Sequence, residues 1–401
     1  MRYVSLKFYN AGRIYLNRFK FEFDMKIIHV ASDLSPASGG MGSAVTPLLN
    51  VLAEFPDTKV ELHTLRKPVG LSEKVISYEH PANMFLPWHP SPEMYRALLQ
   101  SVHDCDILHH NLLWLAPNCY PDFIRKRFRR PIKLVWSPHG TLSRQALSIS
   151  RWKKKLLWHW QRPSVMNAEL LHATSAKEYE EIRAFGLKQP VAVLPHGIDD
   201  CRPKTVAPHR PTIVFLGRLH PIKGLELLLM AWARLQLSFP EWSLEIIGEG
   251  DPAYVSALHG LVKKQKIKRV SFPGTITGLA KFEILAKSAF LVLPSFSENF
   301  GMVVSEALMC GIPVIASQNT PWSILEQKQC GFWIENTLES WINALRHLML
   351  LPEATRQKLG ENGRNLMLKN YSWERMGERI RQSYAWLLEP DRQQQPSWIW
   401  N

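Results

Sequence analysis

The 401-residue sequence lacks a long apolar segment. No run of about 18 apolar residues is present, so the composition predicts no membrane-spanning helix. Residues 1–24 are basic but have neither the apolar core nor the small-residue cleavage site of a secretory signal peptide. Because a buried strand is predicted to begin at Met25, residues 1–24 are interpreted as an N-terminal extension. The protein is expected to be cytoplasmic.

Cysteines are few, and the common motifs of metal-dependent and nucleophilic enzymes are missing. The five cysteines form no CxxC pair and no even framework, so neither a structural zinc site nor secretory disulfides are expected, and a reducing compartment fits best. No HExxH, Walker A or GxSxG pattern occurs, so no motif supports a hydrolase or a kinase. We predict no bound metal and no cofactor.

Acidic residues are nearly absent from one segment. Between Pro121 and Arg162, twelve Lys or Arg accompany a single acid, Asp122. Residues 148–161 interleave these cations with tryptophan and leucine, a pattern typical of an interfacial helix on anionic lipid. Peripheral contact with the inner membrane through residues 121–162 is therefore one interpretation. The other is a solvated basic face whose tryptophans pack inward, and nucleic acid is not an expected partner.

Two series of short apolar runs alternate with helical stretches, which is the rhythm of parallel sheets. The first series is IIHVAS, KVELHTL, DILHH, KLVWSPHG, ELLHATS and VAVLPHG; the second is TIVFLG, SLEIIG, VSFPG, FLVLPS and PVIAS. Residues 195–211 hold four prolines and no periodic pattern, so they are the predicted linker.

These patterns predict an α/β fold of two Rossmann-like domains that face each other across a cleft. An N-terminal domain is expected over residues 25–200 and a C-terminal domain over residues 201–370. Residues 371–401 are expected to form a helix and tail that pack back on the N-terminal domain. Ligands of such open sheets bind beyond the carboxyl ends of the strands.

The most informative stretch, Ser297–Gly311, lies between the runs FLVLPS and PVIAS. Gly301 permits a sharp turn into a helix whose free N–H groups suit a phosphate or a sugar hydroxyl. Glu298 lies in the loop before this helix and Glu306 lies inside it, so both carboxylates can face one hydroxyl-rich ligand. The alternative is a purely structural role, with Glu306 buried and paired with an arginine.

Three further groups are candidates for ligand contact. Arg218 and Lys223 in GRLHPIKG follow a predicted strand, and each would gain on the order of 4 kcal/mol about 4 Å from a diphosphate oxygen. Gly40 and Gly42 lie in a glycine-rich turn that opens a helix, which suits an anion. His139 follows the run KLVWSP, where an imidazole can reach the cleft. The alternatives are a surface ion pair, an ordinary βα loop and a structural histidine.

Two motifs imitate sites of other enzyme classes. The pair Asp104 and Asp106 resembles a metal-binding DxD, but it precedes the strand ILHH, where acids are common. Gly248-Glu249-Gly250 follows SLEIIG like a dinucleotide fingerprint, yet the third glycine and the acid about 20 residues later are missing. Neither motif is interpreted as a ligand site.

The motifs GRLHPIKG, IIGEG, FPGTITG and SENFGMVVSEALMCGIPVIAS, in this order and spacing, resemble the retaining glycosyltransferases of family 4, which have the GT-B fold. The resemblance covers about residues 25–388. The stretches SPHGTLSRQAL, LHATSAKE and LPHGID look like members that build bacterial lipopolysaccharide or exopolysaccharide. Two positions depart from the usual pattern: Asn299 stands where many members have glycine, and Thr320-Pro321-Trp322 replaces a common Gly-Gly.

The resemblance implies that the N-terminal domain, residues 25–200, is the acceptor side and that residues 201–370 form the nucleotide-sugar donor domain. It also implies a role for each candidate residue. Arg218 and Lys223 would hold the donor diphosphate, Gly40 and Gly42 would close over it, and Glu306 would bind the ribose. Thr275 and Ile276 would lie near the base. The transferred sugar would be held by Glu298 and by the backbone of Asn299, Phe300 and Gly301, with His139 touching the sugar or the leaving phosphate.

The resemblance also implies an activity, a sugar transfer from a UDP- or GDP-linked donor to a saccharide or lipid-linked saccharide acceptor, with retention and without metal. A sugar-nucleotide epimerase of the same fold, an NAD-dependent oxidoreductase and a non-catalytic basic module are the alternatives.

Overall fold

A computed structural model of the chain describes residues 24–35, 40–83, 85–86, 88–128, 131–204, 209–389 and 394–401. Apart from residue 24, the predicted N-terminal extension lies outside these ranges, as do residues 38 and 39 of the glycine-rich turn and residues 205–208 of the predicted linker. None of the helices in the described ranges is long and apolar enough to cross a membrane.

The strands form two sheets. In chain order they are β1 Met25–Asp33, β2 Thr58–Arg66, β3 Ile76–Glu79, β4 Ile107–Asn111, β5 Lys133–Ser137, β6 Leu170–Ala173, β7 Val191–Val193, β8 Arg210–Leu216, β9 Ser243–Ile247, β10 Val270–Gly274, β11 Ser288–Leu293, β12 Val314–Ser317, β13 Gly331–Ile334 and β14 Ile399–Trp400. The first sheet has the order β14-β7-β6-β5-β4-β1-β2-β3, and the second has the order β10-β9-β8-β11-β12-β13. Every pairing within them is parallel except that of β14 with β7.

Helices connect these strands and cover the sheets. They are α1 Gly40–Leu52, α2 Pro92–Ser101, α3 Tyr120–Arg127, α4 Arg144–Ser148, α5 Arg151–Met166, α6 Ala176–Ala184, α7 Leu225–Leu235, α8 Pro252–Lys264, α9 Gly278–Lys287, α10 Met302–Cys310, α11 Ile324–Gln327, α12 Leu338–Leu350, α13 Glu353–Asn370 and α14 Trp373–Leu388. The prediction of two Rossmann-like sheets is therefore confirmed, and we call the two units the N-terminal half and the C-terminal half. The exact domain boundaries stay predictions.

The central strands are apolar because helices cover both faces of a parallel sheet. Strand β11 is buried over its whole length, as is β4. One core cluster fills the C-terminal half, and two clusters lie on the two faces of the N-terminal sheet. Three short strands, β3, β13 and β14, escaped the sequence analysis. The first is mostly exposed, and the last has only two residues and pairs with β7, which lies in the middle of the chain.

Helix α14 returns from the C-terminal half and packs on the N-terminal half. Its Trp373, Met376 and Ile380 join a core cluster with Ile27 and Leu49. This helix is amphipathic, so burying its apolar face against the N-terminal sheet contributes most of its stability. The two halves are thereby connected twice along the chain, once through the linker and once through α13 and α14.

A chain of hydrogen bonds ties α14 to three central strands. His172 Nε2 lies 2.9 Å from the carbonyl oxygen of Leu194, which only accepts, so this nitrogen carries the proton. His172 Nδ1 then accepts from Ser137 at 2.8 Å, and Ser137 accepts from His109 Nε2 at 2.7 Å. His109 Nδ1 accepts from the Tyr384 hydroxyl at 2.6 Å. The chain fixes both imidazoles as neutral tautomers.

Burial keeps these imidazoles uncharged. It lowers the pKa of His172 to about 4 and that of His109 well below its usual range. The His29 ring contacts the His109 ring at a tilt of 38°, with centroids 4.5 Å apart. Burial, reinforced by the nearby His172, lowers the pKa of His29 to about 3. The native protein therefore takes up fewer protons than the unfolded chain does below about pH 6.5. Consequently the free energy of unfolding falls as the pH drops from about 6.5 towards 4.

We expect the His29→Leu variant to lose part of this acid sensitivity, because it removes one of the titrating imidazoles. Neither ring nitrogen of His29 has a hydrogen-bond partner among the described residues, so the substitution breaks no hydrogen bond there. The slope of unfolding free energy against pH between 6 and 4.5 should become shallower by about 1 kcal/mol per pH unit. Urea unfolding at several pH values measures it. The exposed His159→Leu variant is the control and should keep the wild-type slope. Equal slopes for wild type and His29→Leu would contradict the claim that burial keeps His29 uncharged in the native protein.

Candidate active site

The candidate site lies where the strand order of the C-terminal sheet reverses. Strands β8 and β11 are neighbours there, while the chain leaves them in opposite directions through β9 and β12. The turn after β8 and the loop after β11 therefore meet at the carboxyl edge of the sheet. A crevice at such a reversal is the usual ligand site of an open α/β sheet.

The turn after β8 is held close to the loop after β11 by a glycine. A short 3₁₀ helix, Pro221–Lys223, ends at Gly224, whose φ of +67° lies in the left-handed region. A Cβ atom there would meet the Pro294 carbonyl oxygen at 2.2 Å. Only glycine fits both the conformation and the space. The close approach sets the position of Lys223 relative to the β11 loop.

Lys223 and Glu298 form an ion pair across the two loops. Lys223 Nζ lies 2.6 Å from Glu298 Oε2, and the side chains are 17% and 14% exposed. Two of the residues predicted from separate motifs are thus brought together. The pair leaves further donors on the ammonium and further acceptor positions on the carboxylate, so both groups can still bind a ligand.

Helix α10 begins directly above this pair. Gly301 has a φ of +81° at its start, and Gly311 has a φ of +83° at its end. Glu306 is 8% exposed within the helix and pairs with Lys281 of α9, with 2.8 Å between Nζ and Oε1. The Trp322 indole N–H donates to the Phe300 carbonyl at 2.6 Å. A residue of the Thr320-Pro321-Trp322 segment, which replaces the common Gly-Gly, therefore supports the loop before α10.

His139 approaches this loop from the N-terminal half. It stacks on His196 at 5.7 Å, and His196 meets the ring of Phe300 edge-on at 5.3 Å. His139 Nε2 donates to the Asn111 side-chain oxygen at 3.0 Å, because the Asn111 amide nitrogen donates to the Val30 carbonyl. His139 Nδ1 is therefore an acceptor, buried and unpartnered among the described residues.

The electrostatics of His139 follow from its burial. Desolvation is the largest cause that lowers its pKa well below the usual range, and His196, His172 and His29 add to it. A neutral imidazole with a free lone pair accepts a hydrogen bond from a hydroxyl group. Together with the Lys223–Glu298 pair, it gives the cleft groups for both a hydroxyl-rich and an anionic part of a ligand.

Comparison with known sequences assigns the family. The profile described as "Glycosyl transferases group 1" matches residues 198–366, and the profile "Glycosyltransferase Family 4" matches residues 38–202. The chain belongs to glycosyltransferase family 4. The predicted membership of this family is therefore confirmed, whereas retention and a role in lipopolysaccharide or exopolysaccharide synthesis stay predictions.

The similar proteins agree with this family assignment. The chain is 30% identical over 185 residues to a D-inositol 3-phosphate glycosyltransferase of Rhodococcus jostii, an alignment that covers 44% of this chain and 40% of that protein. It spans about two fifths of the length of the curated relatives it matches.

Two solved structures share its fold. Anabaena HepE, in complex with UDP and glucose, has a TM-score of 0.72 at 18% identity, over 90% of this chain and 99% of that one. WaaG, a glycosyltransferase involved in lipopolysaccharide biosynthesis, has a TM-score of 0.69 at 15% identity, over 89% and 99%. The GT-B fold predicted from the motifs is thereby confirmed.

Other predicted site residues lie around the central pair. Arg218 is exposed at the end of β8, and Thr275 is exposed after β10. Ile276 lines a separate cavity of about 280 Å³ with Thr212 and Ser288, so its place near the base stays a prediction.

The two glycines predicted to close over the diphosphate, Gly40 and Gly42, lie at the start of α1. A Cβ atom on Gly42 would meet the Leu34 carbonyl oxygen at 2.5 Å, whereas Gly40 has open space around its Cα. Gly42 lines a cavity of about 560 Å³ together with Asp199, Trp373 and Glu374. Its role towards a diphosphate stays a prediction.

The two motifs that imitate other enzyme classes, the GEG turn and the DxD pair, have structural explanations. A Cβ on Gly248 or Gly250 would meet the carbonyl oxygens of Gly217 and Leu219 at 2.0 Å and 1.9 Å, so the GEG turn lets its backbone support the Arg218 loop. Asp104 pairs with Lys26 at 2.7 Å. In the described parts of the chain, no group of three His, Cys, Asp or Glu residues has a geometry that could hold a metal ion.

Sequence reasoning missed two kinds of residue near the site. Lys281 follows FPGTITG, but nothing local marks it as the partner of a glutamate 25 positions later. Lys177 and Glu178 lie in LHATSAKE, which we quoted for the resemblance without assigning a role. Their position just after β6, at the carboxyl edge of the N-terminal sheet, was the available signal.

We expect Lys281→Met to destabilise the protein by about 1–3 kcal/mol, because it leaves the buried Glu306 carboxylate without its ion-pair partner. Urea unfolding measures the change. The matched control is Lys287→Met on the same helix, whose exposed pair with Glu283 at 3.8 Å should contribute less than about 1 kcal/mol. A Lys281→Met/Glu306→Met double variant should recover much of the loss. Equal effects of the two single substitutions would show that the buried pair has no special role.

Proposed function

We propose that the chain is a retaining, metal-independent hexosyltransferase of lipopolysaccharide, O-antigen or exopolysaccharide biosynthesis. Its donor would be a UDP- or GDP-linked sugar, and its acceptor a saccharide or a lipid-linked saccharide. The observation that carries the proposal is the convergence of Lys223 and Glu298 at the strand reversal of the C-terminal sheet. A cation and a carboxylate side by side match the two ends of a sugar diphosphate.

The donor would lie along the carboxyl edge of the C-terminal sheet. Arg218 and Lys223 would bind the diphosphate, Glu306 the ribose hydroxyls, and the backbone of residues 275–276 the base. Glu298 and the Asn299–Gly301 backbone would hold the sugar, with His139 Nδ1 accepting from one of its hydroxyl groups. HepE, which shares the fold, was solved with UDP and glucose, so UDP is the first nucleotide to test.

The proposed chemistry uses these groups without a metal. The acceptor hydroxyl attacks the anomeric carbon from the face that the diphosphate leaves, so the new C–O bond forms on the side where the old one breaks. The leaving diphosphate takes the hydroxyl proton. Arg218 and Lys223 stabilise the charge that develops on the leaving oxygen, and this differential stabilisation accelerates the step.

A cavity between the halves offers space for the acceptor. It measures about 650 Å³ and is lined by Arg144, Gln145 and Glu181 of the N-terminal half and by Phe296 and Ser297 of the β11 loop. An aromatic ring among carboxylate, amide and guanidinium groups suits the faces and hydroxyls of a saccharide. The cavity reaches the residue before Glu298, so an acceptor here would lie next to the transferred sugar.

Helix α5 supports a peripheral membrane contact. Trp152, Leu156 and Trp160 follow one another at intervals of four residues and are 81%, 57% and 63% exposed. Trp158 instead packs inward against the ring of Phe185 at 4.8 Å, so among the three tryptophans of α5 the alternative of inward packing applies to Trp158 alone. Exposed tryptophans flanked by lysines are typical of a surface that binds anionic lipid. A cytoplasmic enzyme at the inner membrane face follows from this proposal.

Turnover of a panel of UDP- and GDP-sugars, followed by mass spectrometry with and without a core-saccharide acceptor, tests the activity. We expect a glycosylated product with one donor, unaffected by EDTA, and a loss of about 10²-fold in kcat/KM for Lys223→Met. The exposed Lys264→Met variant is the control. Conversion of a nucleotide sugar without acceptor would favour the epimerase, and binding of NAD alone would favour the oxidoreductase.

Flotation with phosphatidylglycerol-containing vesicles tests the membrane contact. We expect the wild type to bind, binding to weaken at high salt, and the Trp152→Ala/Trp160→Ala variant to bind at least about tenfold more weakly, because apolar burial and lysine attraction act together. Leu237→Ala, at an 81% exposed position on the C-terminal half, is the control. Equal binding of the double variant and the wild type would refute the contact through α5.

A further inference from the structure

Helix α6 of the N-terminal half reaches across the cleft at its first turn. Lys177 Nζ donates to the backbone carbonyl of Glu298 at 3.3 Å and also to the carbonyl of Asn319. Both acceptors belong to the C-terminal half, one in the β11 loop and one in the loop after β12. One ammonium thus joins two loops of the opposite half.

The neighbouring Glu178 makes a second contact to the same loop. Its carboxylate is buried and accepts from the Thr174 N–H at 2.7 Å, the Thr174 hydroxyl at 2.8 Å and the Gly140 N–H at 2.6 Å. The Asn299 side chain lies beside this carboxylate and opposes the rise that burial causes in the pKa of Glu178. Three hydrogen bonds from the N-terminal half therefore hold the Glu178 carboxylate in place beside Asn299 of the C-terminal half.

A third contact depends on a glycine. Gly140 has a φ of +77°, and a Cβ atom on it would lie 2.9 Å from the Asn299 Cβ. The Asn299 side chain occupies the space that any other residue at position 140 would need. The asparagine that departs from the usual glycine of the family is therefore packed on the N-terminal half, which accounts for a side chain at this position.

The charges of the two α6 residues are compatible with these contacts. Burial lowers the pKa of Lys177, and the carboxylates of Glu181 and Glu298 oppose that shift. Burial raises the pKa of Glu178, and the hydrogen bonds that it accepts oppose the rise. A half-buried ammonium between two carbonyl oxygens is held at one position, because leaving its donors unpaired costs free energy.

We propose that Lys177 and Glu178 are positioning residues that fix the backbone of Glu298 and the side chain of Asn299 from the opposite half, and so align the transferred sugar. The inference rests on the proposed function of the β11 loop. It adds that the donor-binding half is incomplete without α6. The nucleotide would bind to the C-terminal half alone, whereas productive placement of the sugar would need the contact across the cleft.

The test compares Lys177→Met, Lys177→Arg and, as the matched control, the exposed Lys188→Met. UDP affinity is measured by calorimetry, turnover is measured with the best donor of the panel, and hydrogen–deuterium exchange is measured over residues 294–304. For Lys177→Met we expect UDP affinity within about threefold of wild type, kcat lowered roughly 10- to 100-fold, and faster exchange of the β11 loop. Lys177→Arg should recover most of kcat, and Lys188→Met should match the wild type.

A second pair of variants keeps the inference testable if Lys177→Met folds poorly. Gly140→Ala should lower kcat through its clash with Asn299, and the Gly140→Ala/Asn299→Gly double variant should lose less than the two single effects combined. Unchanged kcat and unchanged exchange in Lys177→Met would overturn the inference while leaving the transferase intact. A wild type that binds UDP but transfers no sugar would instead overturn the proposed function, and the exchange data would still show whether Lys177 fixes the loop.

Discussion

The candidate site depends on one ion pair between two loops that the sheet brings together. Lys223 and Glu298 are 75 positions apart in sequence, and they meet because β8 and β11 are neighbours. The Gly224 backbone packs directly on the Pro294 carbonyl, so the two loops cannot separate without breaking this contact. The GEG turn after β9 supports the same arrangement from the other side. The proposed placement of the donor starts from this local geometry.

The N-terminal half supplies rigidity of a different kind. A directed chain of hydrogen bonds runs from Tyr384 through His109 and Ser137 to His172, in a region without charge. Such a buried network is stable only when every member is satisfied, and it fixes α14 against the central strands. His139 extends the polar region to the cleft, where its free nitrogen is available to a ligand. Stability and ligand contact thus draw on the same set of neutral imidazoles.

Much of the fold and the core of the site followed from the sequence, because both depend on local patterns. The long apolar strands, the glycines that turn the chain and the Glu298–Glu306 spacing are all short-range features. The features that the sequence analysis missed depend on contacts between residues far apart in the chain. Lys281 gives no sign that it faces Glu306, and the two-residue strand β14 exists only because β7 offers a free edge. The contacts of Lys177 need the relative placement of both halves, which no periodicity encodes.

A crystal structure of the protein with bound UDP tests the central claim most directly. The account predicts the diphosphate within hydrogen-bond reach of Arg218 and Lys223, with the ribose hydroxyls on Glu306 and the sugar side open towards Glu298 and His139. Nucleotide bound instead in the N-terminal cavity beside Gly42, Asp199 and Glu374 would contradict it.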